Sequence, residues 1–191
     1  MRFAYADPPY LGQGHKLYAA HHDEAHIWDG IDAHRDLIGR LVAEFPDGWA
    51  LSASTPSLAT LLPLCPDGVR VCAWVKPFAV FKPNVGLAYA WEPVLLYGGR
   101  KRERTDPTVR DWLAESITLR KGLTGAKPER FCRWVLSLLN AKAGDEIDDL
   151  FPGTGVMGTV WRKWQLQPSP DTGGGRSGSN PNQPTLIEVM P

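Results

Sequence analysis

Cysteine is scarce: Cys65, Cys72 and Cys132 are the only three in 191 residues, and none stands in a C-x-x-C or zinc-type spacing. Neither a disulfide framework nor a structural zinc site is therefore expected, and the three read as reduced packing residues of a cytoplasmic protein. No apolar run is long enough to cross a bilayer, and no charged start leads into a secretory apolar stretch, so no membrane contact is expected. The GxGxxG spacing of a dinucleotide-binding turn is missing, as is the Lys-Ser/Thr that a phosphate-binding P-loop needs.

Net charge is also lacking, with 21 basic against 21 acidic side chains. The zero hides an uneven distribution. Residues 99–142 carry 11 Lys/Arg and 5 Asp/Glu, whereas residues 1–98 and 143–191 are each acidic in balance. The basic stretch opens with Arg100, Lys101, Arg102 and Arg104, a cluster able to neutralise phosphates and make binding salt-dependent. A solvated surface loop is the competing reading of the same run.

What is present begins with alternation. Arg2 to Ala6 is a short, mostly apolar run that stops at Asp7-Pro8-Pro9-Tyr10, because two prolines cannot continue a central strand. A helix is predicted over Ile31 to Phe45, closed by Asp47-Gly48. Strands are predicted at Trp49 to Ser54, Val69 to Val75 and Tyr89 to Tyr97, with a short helix over Pro56 to Leu64. Lys127-Pro128 precedes an amphipathic helix through Phe131, Val135, Leu138 and Leu139, with Pro128 suited to the first turn. Asp145 to Phe151 reads as a strand, Gly153 and Gly155 as a tight turn, and Val156 onward as a helix. Strands alternating with helices argue for one α/β domain over 1–166, a mostly parallel sheet with helices on both faces. Residues 167–191 are rich in Gly, Ser, Pro and Asn and are expected to be a disordered tail.

The chemistry of the two punctuating motifs is readable from the residues. A carboxylate just beyond the carboxyl end of a strand stands where ligands collect in open α/β sheets. Asp7 and the Pro8 carbonyl offer acceptors only, Pro8-Pro9 fix the backbone direction, and Tyr10 adds an aromatic face for an unstacked base. A strand, glycine turn and helix at Asp149, Phe151, Gly153, Thr154 and Gly155 brings backbone amides close to a cofactor.

Taken in this order, Asp7-Pro8-Pro9-Tyr10 before Asp149-Leu150-Phe151-Pro152-Gly153-Thr154-Gly155 resembles the DNA adenine-N6 amino-methyltransferases of permuted order, with DPPY before FxGxG. The resemblance covers most of residues 1–164, including Lys127-Pro128 and the run Glu92-Pro93-Val94-Leu95; the family's upstream His-Pro-Thr is absent. It implies a Rossmann-like S-adenosylmethionine-dependent methyltransferase fold, circularly permuted and short at the cofactor half. It implies that Asp7, Pro8, Pro9 and Tyr10 act on a flipped adenine. Asp149, Phe151, Gly153, Thr154, Gly155, Lys127 and Pro128 would hold S-adenosyl-L-methionine. Residues 99–125 would be a minimal target-recognition insert. DNA is the implied partner, with RNA as the alternative, and a homodimer or a separate specificity partner would supply discrimination. N4-cytosine transfer is a second chemistry, although that subclass more often carries Ser at Asp7, and RNA adenosine enzymes typically carry Trp at Tyr10. A non-catalytic nucleic-acid-binding relic is the reading from another class. The family continues past the FxGxG helix into a strand ending in an acid that holds the cofactor ribose, for which only Glu188 is offered here.

Five histidines, His15, His21, His22, His26 and His34, fall within twenty residues. Glycines at 12, 14 and 30 make the stretch loop-like, and no second shell is specified, so no metal is expected. Two readings stand side by side. Either Gly12, Gln13, His15, Lys16 and Tyr18 border a base pocket or phosphate path, or they are plain surface.

Overall fold

The computed structural model describes residues 1–19, 23–77, 86–117 and 126–166. His21, His22, the end of the 99–125 segment and the whole 167–191 tail, Glu188 included, lie outside the described residues.

The apolar runs predicted as strands pair into one six-stranded sheet. In chain order the strands are β1 (Arg2–Ala6), β2 (Gly48–Ser52), β3 (Arg70–Val75), β4 (Trp91–Gly98), β5 (Trp112–Ala114) and β6 (Glu146–Asp149). Their order across the sheet is β5-β3-β4-β2-β1-β6. The pairs β1·β2, β1·β6 and β3·β5 are parallel, while β4 runs antiparallel to both β2 and β3. One reversed strand among six leaves the sheet mostly parallel.

Side-chain alternation along these strands feeds two cores. Phe3 and Tyr5 face the helices α4 (Glu129–Leu138) and α5 (Val156–Gln165), where Phe131, Val135, Leu139, Met157 and Val160 close the layer. Ala4, Ala6, Trp49 and Leu51 face the other side, where α2 (Ile31–Glu44) presents Leu37, Ile38 and Leu41, and α3 (Leu58–Leu61) adds Leu61. Helices thus cover both faces. Pro128 is the N-cap of α4 rather than a first-turn residue, with extended backbone at φ −71°, ψ 152°.

Three local elements differ from the sequence expectation. A short helix, α1 (Gly14–Tyr18), stands in the stretch whose glycines predict a loop, because the Asp29 carboxylate accepts the N–H groups of Gly14 (2.7 Å) and His15. A 3₁₀ segment, Asp23–Asp29, follows it. Within 99–125, β5 docks onto β3 with Ala73 opposite Trp112, so part of the supposed insert is an edge of the central sheet.

The topology fixes where a ligand can sit. From β1 the chain passes through α2 to β2 on one side, whereas β6 reaches the other side of β1 from α4 on the opposite face. The connections diverge between β1 and β6, and the crevice beyond their carboxyl ends is a topological switch point.

Candidate active site

The register places the two sequence motifs together. Tyr5 of β1 is opposite Asp149 of β6, and Leu150 donates its N–H to the Tyr5 carbonyl at 2.9 Å. Asp7 therefore leaves β1 beside the point where Asp149 ends β6. Gly155, at φ +70°, is the N-cap of α5, and Gly153 is also left-handed at φ +45°, so the chain turns from strand to helix within a few residues. Gly153 and Thr154 are exposed, and Phe151 is half-buried against Trp28, ring centroids 5.2 Å apart.

Asp7 lies in a charged network that the sequence alone does not reveal. Lys127, only 8 % exposed, donates to Asp7 Oδ1 at 2.9 Å and to the Tyr10 hydroxyl at 3.2 Å, and its ammonium is 3.5 Å from Glu92 Oε2. The Tyr10 hydroxyl donates to Glu92 Oε2 at 2.7 Å, and Lys76 donates to Glu92 Oε1 at 2.7 Å. The rings of Trp74, Tyr10 and Phe131 surround the Lys127 ammonium at 5.5, 5.6 and 5.9 Å from their centroids, close enough for cation–π attraction. Beneath them, the Tyr5 and Ser52 hydroxyls share a 3.0 Å hydrogen bond.

The electrostatics follow from burial and this pairing. Burial pushes the Asp7 carboxyl above the usual range, against the pull of the Lys127 ammonium and a hydrogen bond from Ser52. Burial acts the same way on Glu92, but Lys127, Lys76 and the Tyr10 hydroxyl outweigh it and hold that carboxyl below its ordinary value. Tyr10 is raised well above its usual range by burial, Asp7 and Glu92, so its hydroxyl stays protonated and can donate. Asp149 is pushed up to about 6 by burial and by the Asp7 charge, with a backbone hydrogen bond at Phe151 opposing. Its Oδ1 is buried with no hydrogen-bond partner among the described residues, which is costly unless a ligand supplies a donor.

The remaining sequence candidates separate by location. Pro8 is buried and Pro9 half-buried at the Asp7 turn, and Lys16 is exposed on α1 after that turn. Arg100, Lys101, Arg102 and Arg104 follow β4, whose Gly98 pairs with Gly48 at the start of β2. They therefore stand at the amino ends of the parallel strands, the length of β2 away from Asp7, about 16 Å at about 3.3 Å per residue. Arg100 donates to the buried Asp145 carboxylate, and Arg102 to the carbonyls of Ser137 and Pro107. The structure does not bring this cluster to the Asp7 crevice. His34 is also engaged elsewhere, its Nε2 3.2 Å from the Trp28 carbonyl. Lys76 and Trp74 join the site without having been singled out in the sequence, and Glu92 stood there only as the start of the run Glu92-Pro93-Val94-Leu95, with no site role; its one signal was a carboxylate inside the otherwise apolar run of β4.

Solved structures share this architecture. The M1.HpyAVI–SAM complex superposes with a TM-score of 0.55 at 17 % identity, covering 86 % of this chain and 78 % of that one. TTHA0409 from Thermus thermophilus, provisionally assigned as a DNA modification methylase and solved with S-adenosyl-L-methionine, gives 0.51 at 16 % identity over 85 % and 77 %. M1.HpyAVI on its own gives 0.50 at 16 % identity over 85 % and 76 %. No protein-family model and no curated protein matches the chain. The chain thus shares the Rossmann-like α/β fold of these structures.

Proposed function

We propose that this chain is an S-adenosylmethionine-dependent methyltransferase acting on the N6 amino group of adenine in DNA, with the motif order permuted. The observation that carries the reading is the side-by-side placement of the Asp7-Pro8-Pro9-Tyr10 turn and the Asp149–Gly155 loop at the switch point between β1 and β6. Two fold neighbours are complexes with S-adenosylmethionine, and one of them, TTHA0409, is named as a DNA modification methylase. The choice of adenine rests on the chemistry of the Asp7 turn.

The residues present fit the cofactor. Asp149 Oδ1, without a hydrogen-bond partner among the described residues, is an acceptor suited to an amino-acid ammonium, and Gly155 leaves open space where a Cβ would stand. Phe151, Gly153, Thr154 and the Lys127-Pro128 segment complete the loop side of the crevice. When bound, the cofactor supplies an electrophilic methyl on a sulfonium. The chain's part is positional: Asp7 and the Pro8 carbonyl accept from the amino group and leave its lone pair exposed, and the Tyr10 ring stacks on an adenine taken out of its helix. Most of the rate gain comes from that alignment.

The test is isothermal titration with S-adenosylmethionine for wild type and Gly153→Arg, followed by mapping of methylated adenines in DNA exposed to the enzyme. Binding abolished in the variant and N6-methyladenine made by wild type are expected. A second reading, a nucleic-acid-binding relic, is favoured by one observation: β6 is an outer strand among the described residues, with none beyond it. Absence of cofactor binding by wild type, with or without DNA, would shift the conclusion to it.

A further inference from the structure

We propose that Lys127 is a positioning residue for the reaction centre: its ammonium, braced by Glu92, keeps the Asp7 carboxylate ionised and aimed as an acceptor for the substrate amino group. The inference rests on the methyltransferase reading for its catalytic meaning, but the ion pair itself is testable without it. It also reassigns the working end of Lys127, which the family resemblance puts among the cofactor contacts.

The geometry carries it. Here the ammonium lies 2.9 Å from Asp7 Oδ1, is 3.5 Å from Glu92, and is boxed by three aromatic rings. The box matters because a buried ammonium needs compensation for its missing water, and ring faces and two carboxylates supply it. Glu92 is in turn neutralised by Lys76 at 2.7 Å, so the network holds two carboxylates and two ammonium groups.

Asp7 needs such a partner because its surroundings work against ionisation. Tyr5 from β1, Tyr10 from its own turn and Cys132 from α4 crowd it with groups that carry no compensating charge. Glu92 from β4 and Asp149 from β6 add negative potential. Lys127 is the cation that touches the Asp7 carboxylate among the described residues, while Lys76 reaches Glu92 instead. A protonated Asp7 would present a donor to an amino group that is itself a donor, and the alignment would fail.

The experiment follows the carboxyl carbon of Asp7 by ¹³C NMR through a pH titration, its signal identified by its disappearance in Asp7→Asn. Wild type, Lys127→Met and Lys127→Arg are compared, with S-adenosylmethionine titrated into each. In Lys127→Met the Asp7 midpoint is expected to move up by about one pH unit or more. The acid limb of the methylation profile should move with it, so that turnover falls about tenfold more at the acid end than at the alkaline end. Lys127→Arg should restore both in part. An Asp7 midpoint unchanged in Lys127→Met overturns the proposal, as does a large drop in cofactor affinity with that midpoint unmoved. Should Lys127→Met fail to fold, Asp7→Asn/Lys127→Met decides: recovered thermal stability supports the pairing, and no recovery refutes it. Wild type that transfers no methyl group would sink the enzyme reading, yet the Asp7 titration would still report on the ion pair.

Discussion

The Tyr10 hydroxyl is the narrowest joint of the site, because it accepts from Lys127 while donating to Glu92. Tyr10→Phe keeps the ring and removes both hydrogen bonds. A loss of about 1–2 kcal/mol in unfolding free energy is expected, since each buried partner keeps another hydrogen bond. Urea denaturation measures it, and a loss near zero would mean the hydroxyl is not engaged in solution. Asp149 gives a pH signature. Its folded-state value, about 6, lies above the ordinary carboxylate value of 3.8, so the folded protein holds a proton that the unfolded chain has released between those limits. Stability contributed by Asp149 is therefore fully present below about pH 4 and disappears as pH rises through about 6. Asp149→Asn should flatten that part of the stability profile and make cofactor binding weak at every pH. Wild-type cofactor affinity should instead fall as pH drops below about 6, where the carboxylate that would meet the cofactor ammonium is neutral. Titration calorimetry on either side of that midpoint checks the sign.

Two glycines separate steric from conformational demands at the level of elements. Gly48 starts β2 at φ +146°, and a Cβ there would lie 2.3 Å from the Gly99 nitrogen, backbone that cannot swing aside. Gly48→Ala must pry β2 from β4 and is expected to cost more than about 4 kcal/mol, most of the stability of a domain at the low end of the usual range. Gly155→Ala meets nothing within 4 Å and bears only the left-handed backbone, about 1–2 kcal/mol, so it should fold with a melting point a few degrees lower. Similar losses in both variants would contradict this division. Elements of this kind differ in how far they can be read in advance. β1 to β4 were legible as apolar runs bounded by Gly, Pro and Asp, and α2 as a periodic stripe. β5 was not, because three residues in a basic, polar stretch become a strand only by pairing with the edge of β3. α1 was hidden by its glycines, and its start is held by Asp29, well downstream of Gly14.

Across the whole molecule, direction is what the sequence withheld. Asp7 and the Asp149 loop were readable as motifs, whereas the Lys127–Asp7 contact joins residues 120 positions apart. The basic cluster was readable as charge, but its side of the sheet depends on β4 running antiparallel, which no local pattern encodes. That reversal carries a consequence for nucleic-acid binding. Lys101 and Arg104 are exposed at the amino ends of the parallel strands, while Lys16 is exposed on α1, after the Asp7 turn. DNA that delivers a base to Asp7 must lie over the carboxyl ends. Removing one lysine or arginine that neutralises a phosphate lowers the slope of log affinity against log salt by about 0.9. Lys16→Glu is therefore expected to reduce that slope by about one, and Lys101→Glu/Arg104→Glu to change it by much less. Fluorescence anisotropy with a labelled duplex at several salt concentrations reads both. A drop of about two in the double variant would place DNA across the far edge of the sheet, where it could not reach Asp7 without leaving the cluster. Arg100 is omitted from that comparison because its guanidinium pairs with buried Asp145; Arg100→Glu would put two carboxylates together and confound binding with folding.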